Sequence, residues 1–452
     1  MRLISRLTGV CVLILALQAC SPGGSTAENL APSESSGDYL RAWNKALSDV
    51  MVHDIVSPPV ASRNYAYPNI AAYEVLAHLE AEFLSLSGQL REFEPTPEPT
   101  ETVSGYVASS VAFSRVAQAL VFDGTPLAQR EDSLLADSRS RFDSELVEAS
   151  VAYGASVAEA VLAYARADNY AQTRTMPQFV VNADDPGRWQ PTPPDYVPGL
   201  EPNWNRLRPF TLASVDEFQP PPPPPFDTDP SSPFYAEMME VYEAVAEAED
   251  EHVEIAKFWD CNPLVSTHIG HVMTFSKKIT PGGHWIGITK IATSQAGLDA
   301  MRTAEAYALT SIALADGFIS CWDEKYRSNL IRPETVINQY VDPEWRPVLQ
   351  TPPFPEYTSG HSVISGAAST VLTGLLGEPF PFLDDTEVEF GLPARSFESF
   401  RQAADEAAIS RMYGGIHYRQ AIEVGVAQGR SLGEAVLERV QTRVTQDFAS
   451  TQ

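Results

Sequence analysis

Cysteine is scarce in this 452-residue chain: four in all, with Cys11 and Cys20 inside the first twenty residues. The remaining two, Cys261 and Cys321, exclude a disulfide-rich scaffold and offer no metal–thiolate spacing. They form either one disulfide or two buried thiols, and the sequence does not choose between them. Basic residues are short as well. Thirty-one Lys and Arg face 59 Asp and Glu, for a net charge of −28, which argues against nucleic acid or an anionic membrane surface as a partner. Any anion site must therefore be a local basic cluster working against the overall field. After the N-terminus no stretch approaches about 18 uninterrupted apolar residues, so no later helix is expected to cross a bilayer. Alternating Val/Ile runs are also rare, which leaves little room for sheet.

What is present begins with a leader. Arg2 and Arg6 precede an apolar stretch at 10–17 that is too short for a membrane span, and Leu17-Gln18-Ala19-Cys20 resembles a bacterial lipobox, with Gln18 where a small residue is usual. Residues 1–20 are expected to be a lipoprotein signal peptide, with acylation at Cys20 and a flexible Ser/Gly-rich tether over 21–37. The expected location is the periplasm or, as Ser21 after the cysteine suggests, the outer membrane. Plain secretion is the alternative.

Beyond the tether, Ala-, Leu- and Glu-rich segments with apolar residues recurring at three and four predict helices. They cover 38–52, 71–86, 103–121, 144–167, 233–249, 293–315, 400–410 and 418–441. A proline-rich stretch at 176–232 divides them, and its six consecutive prolines, Pro220 to Pro225, demand extended backbone. The expectation is an all-α protein of two helical bundles in tandem: a helical half at 38–175, a rigid strap at 176–232, and a catalytic half at 233–452.

Three segments of the second half carry chemistry. They are Lys325-Tyr-Arg-Ser-Asn-Leu-Ile-Arg332-Pro333, Thr358-Ser359-Gly360-His361, and Ser410-Arg411-Met-Tyr-Gly-Gly-Ile-His417. Together they supply three cations, a hydroxyl, a glycine amide and two imidazoles, a kit suited to a small, highly charged oxyanion. Lys325 and Arg332 are seven apart, which on one helix would place them on the same face, with Pro333 ending that helix. Ser359-Gly360-His361 precedes an Ala/Ser-rich helix whose N-terminus offers free N–H groups to an anion. Gly414-Gly415 should break the helix between Arg411 and His417 and turn both inward. Each piece alone has a bland reading: a helix end, a turn, a core histidine.

In this order the segments resemble the signature of the vanadium haloperoxidase and type 2 phosphatidic acid phosphatase superfamily, K-x6-R-P, P-S-G-H and S-R-x5-H. Thr358 replaces the usual proline, a residue that shapes the turn and does no chemistry. Trp322, three before Lys325, and Phe354, seven before His361, resemble the aromatic wall of the haloperoxidase halide pocket. Algal bromoperoxidases tend to have histidine at the Phe354 position. This chain looks more like fungal chloroperoxidases and, most of all, bacterial iodoperoxidases.

The resemblance implies a vanadate cofactor with His417 as the axial metal ligand. It implies that Lys325, Arg332, Arg411, Ser359, the Gly360 amide and His361 surround the vanadate oxygens. His361 would take a proton from hydrogen peroxide, and Lys325 would polarise the bound peroxide. Attack by halide, iodide preferred and bromide second, would yield hypohalous acid for small organic acceptors. The alternative within the superfamily is a secreted acid phosphatase in which His417 becomes a phosphohistidine and His361 protonates the leaving group.

Other polar residues are weaker candidates. His268, His271, His284 and Cys261 invite a zinc reading, but no cysteine or carboxylate has matching spacing. His284-Trp285 follows Pro281-Gly-Gly and is expected in a loop. Asp260 and Asn262 are placed to orient an active-site His or Arg. His53, His78 and His252 read as structural or surface residues.

Overall fold

Capping and proline chemistry set most helix starts. The computed structural model describes residues 35–444, so the expected signal peptide, Cys20 and most of the tether lie outside the described residues. In the N-terminal half, α1 (Asp38–His53), α2 (Pro58–Ala77), α3 (Gly105–Leu120), α4 (Thr125–Arg141), α5 (Ser144–Arg166) and the single turn α6 (Tyr170–Thr173) follow in order. In the second half come α7 (Pro233–Ala246), α8 (Asp250–Phe258), the hairpin β1 (Ser266–Ile269) and β2 (Val272–Phe275), then α9 (Pro281–Gln295) and α10 (Ala300–Ser328). The chain closes with α11 (Pro333–Tyr340), α12 (Gly360–Leu376), β3 (Phe382–Asp384), β4 (Arg395–Phe397), α13 (Phe400–Tyr413) and α14 (Arg419–Arg439). Both strand pairs are short antiparallel ribbons, so the expectation of little sheet holds.

The spine of the fold is α10. Asp299 caps it by accepting from the Arg302 N–H, and its residues from Thr303 to Lys325 are all buried. One side packs on α2 of the first bundle and the other on α12 and α14 of the second. The main hydrophobic core among the described residues therefore runs from Tyr39 to Val440 and draws on both bundles, with a second core around Met238, Ile337 and Ile422. Helices α12 and α14 approach closely: a β-carbon at Gly429 would lie 1.9 Å from the Val363 carbonyl oxygen. Only glycine permits that contact, and it holds the N-terminus of α12 rigidly.

Several helix expectations need correction. The segment expected at 71–86 starts at Pro58, behind the Ser57 N-cap and two prolines, and stops at Ala77. All of α2 except Val60 is buried, so no amphipathic period marked its first half. The expected helix at 293–315 is two helices, broken where Gly297 adopts φ +61°. His284 and Trp285 lie inside α9, not in a loop. Thr280 caps that helix, Pro281 opens it, and both side chains are buried. Missing from the sequence reading, α4 is too polar for its apolar face to show.

The strap at 176–232 ties itself to α10 rather than merely crossing the surface. Phe210 and Thr211 donate backbone N–H groups to the buried Asp316 carboxylate, at 2.7 and 2.8 Å. The Ile331 N–H reaches the Gly187 carbonyl, and Tyr357 Oη donates to the carbonyl of Pro221. Cys261 and Cys321 are both buried free thiols.

Candidate active site

Three cations converge from three separate elements. Lys325 is in the last turn of α10, Arg332 precedes α11, and Arg411 is in the last turn of α13; all three are buried. The expected shared helix face does not exist. After Ser328, Asn329 takes a left-handed conformation (φ 48°), the chain runs extended through Arg332, and Pro333 begins a helix instead of ending one. Both side chains nevertheless meet on the 354–356 segment. Lys325 Nζ donates to the carbonyls of Pro355 and Glu356, each at 3.0 Å. Arg332 Nε donates to the Phe354 carbonyl at 2.9 Å, and its Nη1 to the Ile416 carbonyl at 2.8 Å.

The helix break expected around Gly414-Gly415 is present: α13 ends at Tyr413 and Gly415 has φ +76°. This turn delivers His417 to Arg332, whose Nη1 lies 3.1 Å from His417 Nε2. A guanidinium only donates, so Nε2 accepts and Nδ1 carries the proton. Nδ1 donates to Glu356 Oε1 at 2.6 Å, and the Tyr418 N–H reaches the same oxygen at 3.0 Å. Burial, and then the charges of Arg332 and Lys325, hold His417 well below the usual histidine range. The result is a neutral, oriented imidazole with its Nε2 lone pair on the cationic side, the form a metal requires.

Ser359 caps α12 by accepting from the Ser362 N–H at 3.3 Å, placing Gly360 and His361 in the first turn as expected. A β-carbon at Gly360 would sit 3.4 Å from the Trp322 ring and 3.9 Å from Lys325 Cε, taking up space beside the cations. The His361 ring is hydrogen-bonded to the Trp259 backbone, and burial followed by the Arg411 charge depresses its pKa well below the ordinary value. Trp322 and Phe354 form one wall, ring centroids 4.9 Å apart, with Lys325 Nζ 5.0 Å from the Phe354 ring centroid. Trp322 Nε1 and Tyr326 Oη both donate to the carbonyl of Leu200 in the strap, at 3.1 and 2.6 Å.

Beside these groups lies a cavity of ≈ 40 Å³ lined by Leu200, Leu264, Trp322, Phe354, His361, Arg411 and His417 but not by Lys325 or Arg332, space for about three water-sized groups. Among the described residues, the only buried carboxylate hydrogen-bonded to the cluster is Glu356, while Asp260, whose charge acts on Arg411, pairs with the Lys278 ammonium. An uncompensated buried charge costs several kcal/mol, roughly, even after relaxation. Burial accordingly pushes the Lys325 ammonium down to about 7. Arg332 Nη2, His361 Nε2 and Ser362 Oγ are buried without a partner. An unpartnered guanidinium nitrogen and hydroxyl beside excess positive charge fit a tetrahedral oxyanion such as vanadate.

A family profile for the VCPO second helical-bundle domain matches residues 305–446. A crystal structure described as the first bacterial vanadium-dependent iodoperoxidase is 53% identical, with a TM-score of 0.88, covering 92% of this chain and 99% of the other. This chain belongs to the vanadium haloperoxidase family. A holo-type bacterial vanadium-dependent chloroperoxidase shares the fold at 15% identity and TM-score 0.68, covering 91% of this chain and 98% of its own. Its apo-type counterpart does so at 16% and 0.62, covering 84% and 93%. No curated protein sequence matches the chain.

In this haloperoxidase the sequence reading missed Glu356, the carboxylate that orients His417. Its one local signal is an acidic residue inside the Pro352–Pro355 run and the following Tyr357, where burial is otherwise apolar. Asp260, weighed as an orienting residue, lines the cavity and pairs with Lys278, and its charge acts on Arg411. The histidines weighed and set aside for zinc do not come together. His268, exposed on the β1–β2 hairpin, bonds Asp195 at 2.6 Å, and His271 is exposed in its turn, whereas His284 is buried elsewhere. His53 is exposed, His78 bonds Tyr153, and His252 stacks on Tyr413.

The low Lys325 pKa makes anion binding pH-dependent. A lysine charged only below about 7 must take up a proton when an anion binds at higher pH. Vanadate affinity of the apoprotein is expected to weaken between pH 7 and 9, by at most about tenfold per pH unit for one proton. Calorimetric titrations in buffers of different ionisation enthalpy check this by counting protons taken up; no uptake at pH 8 would place the charged form of Lys325 well above that range.

Proposed function

We propose that this haloperoxidase is a vanadate-dependent enzyme that oxidises halide, iodide preferentially, with hydrogen peroxide to hypohalous acid. The observation that carries the reading is the neutral His417, its Nε2 turned to the buried Arg332 guanidinium, whose Nη2 has no partner. Bound vanadate supplies a Lewis acid that activates peroxide for halide attack without changing oxidation state. His417 is the proposed metal ligand. Arg332, Arg411, Lys325, Ser359 and the Gly360 N–H hold the oxygens and neutralise their charge. His361, neutral and with a free Nε2, accepts the proton of incoming hydrogen peroxide. Trp322 and Phe354 present an apolar wall suited to a large, weakly hydrated halide, and the 53% identical relative is itself described as an iodoperoxidase. A lipid anchor at Cys20, holding the enzyme at a periplasmic or outer-membrane surface, completes the proposal, with small organic molecules as halogen acceptors.

Peroxide-dependent triiodide formation by the purified mature protein, before and after orthovanadate, is the direct test. Oxidation is expected only with vanadate, with iodide turned over faster than bromide. Phosphate-ester hydrolysis inhibited by vanadate, with no oxidation of any halide, would overturn the reading and make His417 a phosphoryl acceptor.

A further inference from the structure

Behind Trp259, away from the vanadate pocket, three ligand-type side chains from distant parts of the chain meet. Cys261 follows α8, His284 lies in the first turns of α9, and Glu387 follows β3. Cys261 Sγ is 3.3 Å from His284 Nδ1 and 3.6 Å from Glu387 Oε1, and Nδ1 is 3.2 Å from Oε1. All three are buried, and their donor atoms lie within 4.8 Å of one another. Tetrahedral zinc, with sulfur at about 2.3 Å and nitrogen or oxygen at about 2.0–2.1 Å, separates its donors by about 3.3–3.6 Å. The triangle therefore has ligand-to-ligand dimensions.

The surroundings fit the same chemistry. His284 Nε2 lies 2.8 Å from Asp384 Oδ2, the carboxylate–histidine pairing that orients metal ligands. A neutral ring donating Nε2–H to Asp384 would turn its Nδ1 lone pair toward Cys261 Sγ and Glu387 Oε1, as a metal ligand does. Trp259 stacks on His284 with centroids 4.5 Å apart and closes that side from water. We propose that Cys261, His284 and Glu387 form a structural site for a divalent, thiolate-binding cation, zinc by its donor set, with Asp384 holding the histidine. The cation would staple the β3–β4 ribbon to α9 and to the loop whose Asp260 and Asn262 line the active-site cavity.

The test uses the mature protein in vanadate-free buffer. Inductively coupled plasma mass spectrometry after gel filtration is expected to find about one zinc per chain, and below about a tenth of that in Cys261→Ser. Exchange for Co²⁺ in the wild type should give a near-ultraviolet thiolate charge-transfer band that persists in Cys321→Ser, so the assignment does not hang on one variant folding. Chelation should lower Tm, and zinc should restore it. A folded wild type that retains no metal after incubation with zinc, and whose Tm ignores chelator, overturns the site and leaves an imidazolium between two carboxylates. Metal retained undiminished in Cys261→Ser, or Co²⁺ bound without the thiolate band, overturns it equally.

Discussion

His417→Ala is expected to lower vanadate-dependent iodide oxidation by about 1,000-fold or more, because it removes the proposed metal ligand and not merely one donor of the cradle. The substitution also leaves Arg332 Nη1 without its nitrogen acceptor and Glu356 Oε1 without its imidazole donor, in a region that is fully buried. Two effects are thus superposed, and each has its own readout. Triiodide assays at rising vanadate concentration report the lost ligand; the thermal midpoint of the apoprotein reports the lost hydrogen bonds. Retention of more than about a tenth of the activity with Tm unchanged would shift the ligand role away from His417. The first candidate to inherit it would be His361, whose Nε2 has no partner.

Glu356→Gln should weaken vanadate binding by about 10–100-fold, the usual effect of losing the group that orients a metal-bound histidine. The amide oxygen can still accept from Nδ1 and from the Tyr418 N–H, so the imidazole stays in place, but its basicity falls. Glu356 Oε2 has no partner, so the amide nitrogen enters that space as an unsatisfied donor beside Arg332 and Lys325. Burial already pushes the Glu356 carboxyl up to about 8 against the pull of those two cations. A role confined to orientation and electrostatics predicts that saturating vanadate recovers most of kcat while Kd for vanadate remains weakened. Loss of kcat at saturation would instead give Glu356 a part in the proton transfers themselves.

What the sequence made legible was the part whose meaning is local. Ser359-Gly360-His361 before an alanine-rich run announces a capped helix, and Gly414-Gly415 announces a turn; both are where expected. The Lys325–Arg332 spacing misled because Asn329 leaves the helix in a left-handed conformation that any helical wheel overlooks. Helix α2 was blurred because it is almost wholly buried and offers no polar face for periodicity to reveal, whereas α9 was missed because its opening Pro281-Gly282-Gly283 reads as a turn. Glu356 was invisible because its partner, His417, is 61 residues away. The Cys261–Glu387 contact spans 126 residues, so a spacing rule had nothing to count.

The carbonyl of Leu200 has a consequence for how such an enzyme can diversify. It receives Trp322 and Tyr326, while its own N–H is donated to the Pro353 carbonyl at 2.9 Å. The orientation of the aromatic wall thus depends on a segment that carries none of the charged signature. A change in the strap can therefore turn those two rings while every residue of the charged signature stays unchanged.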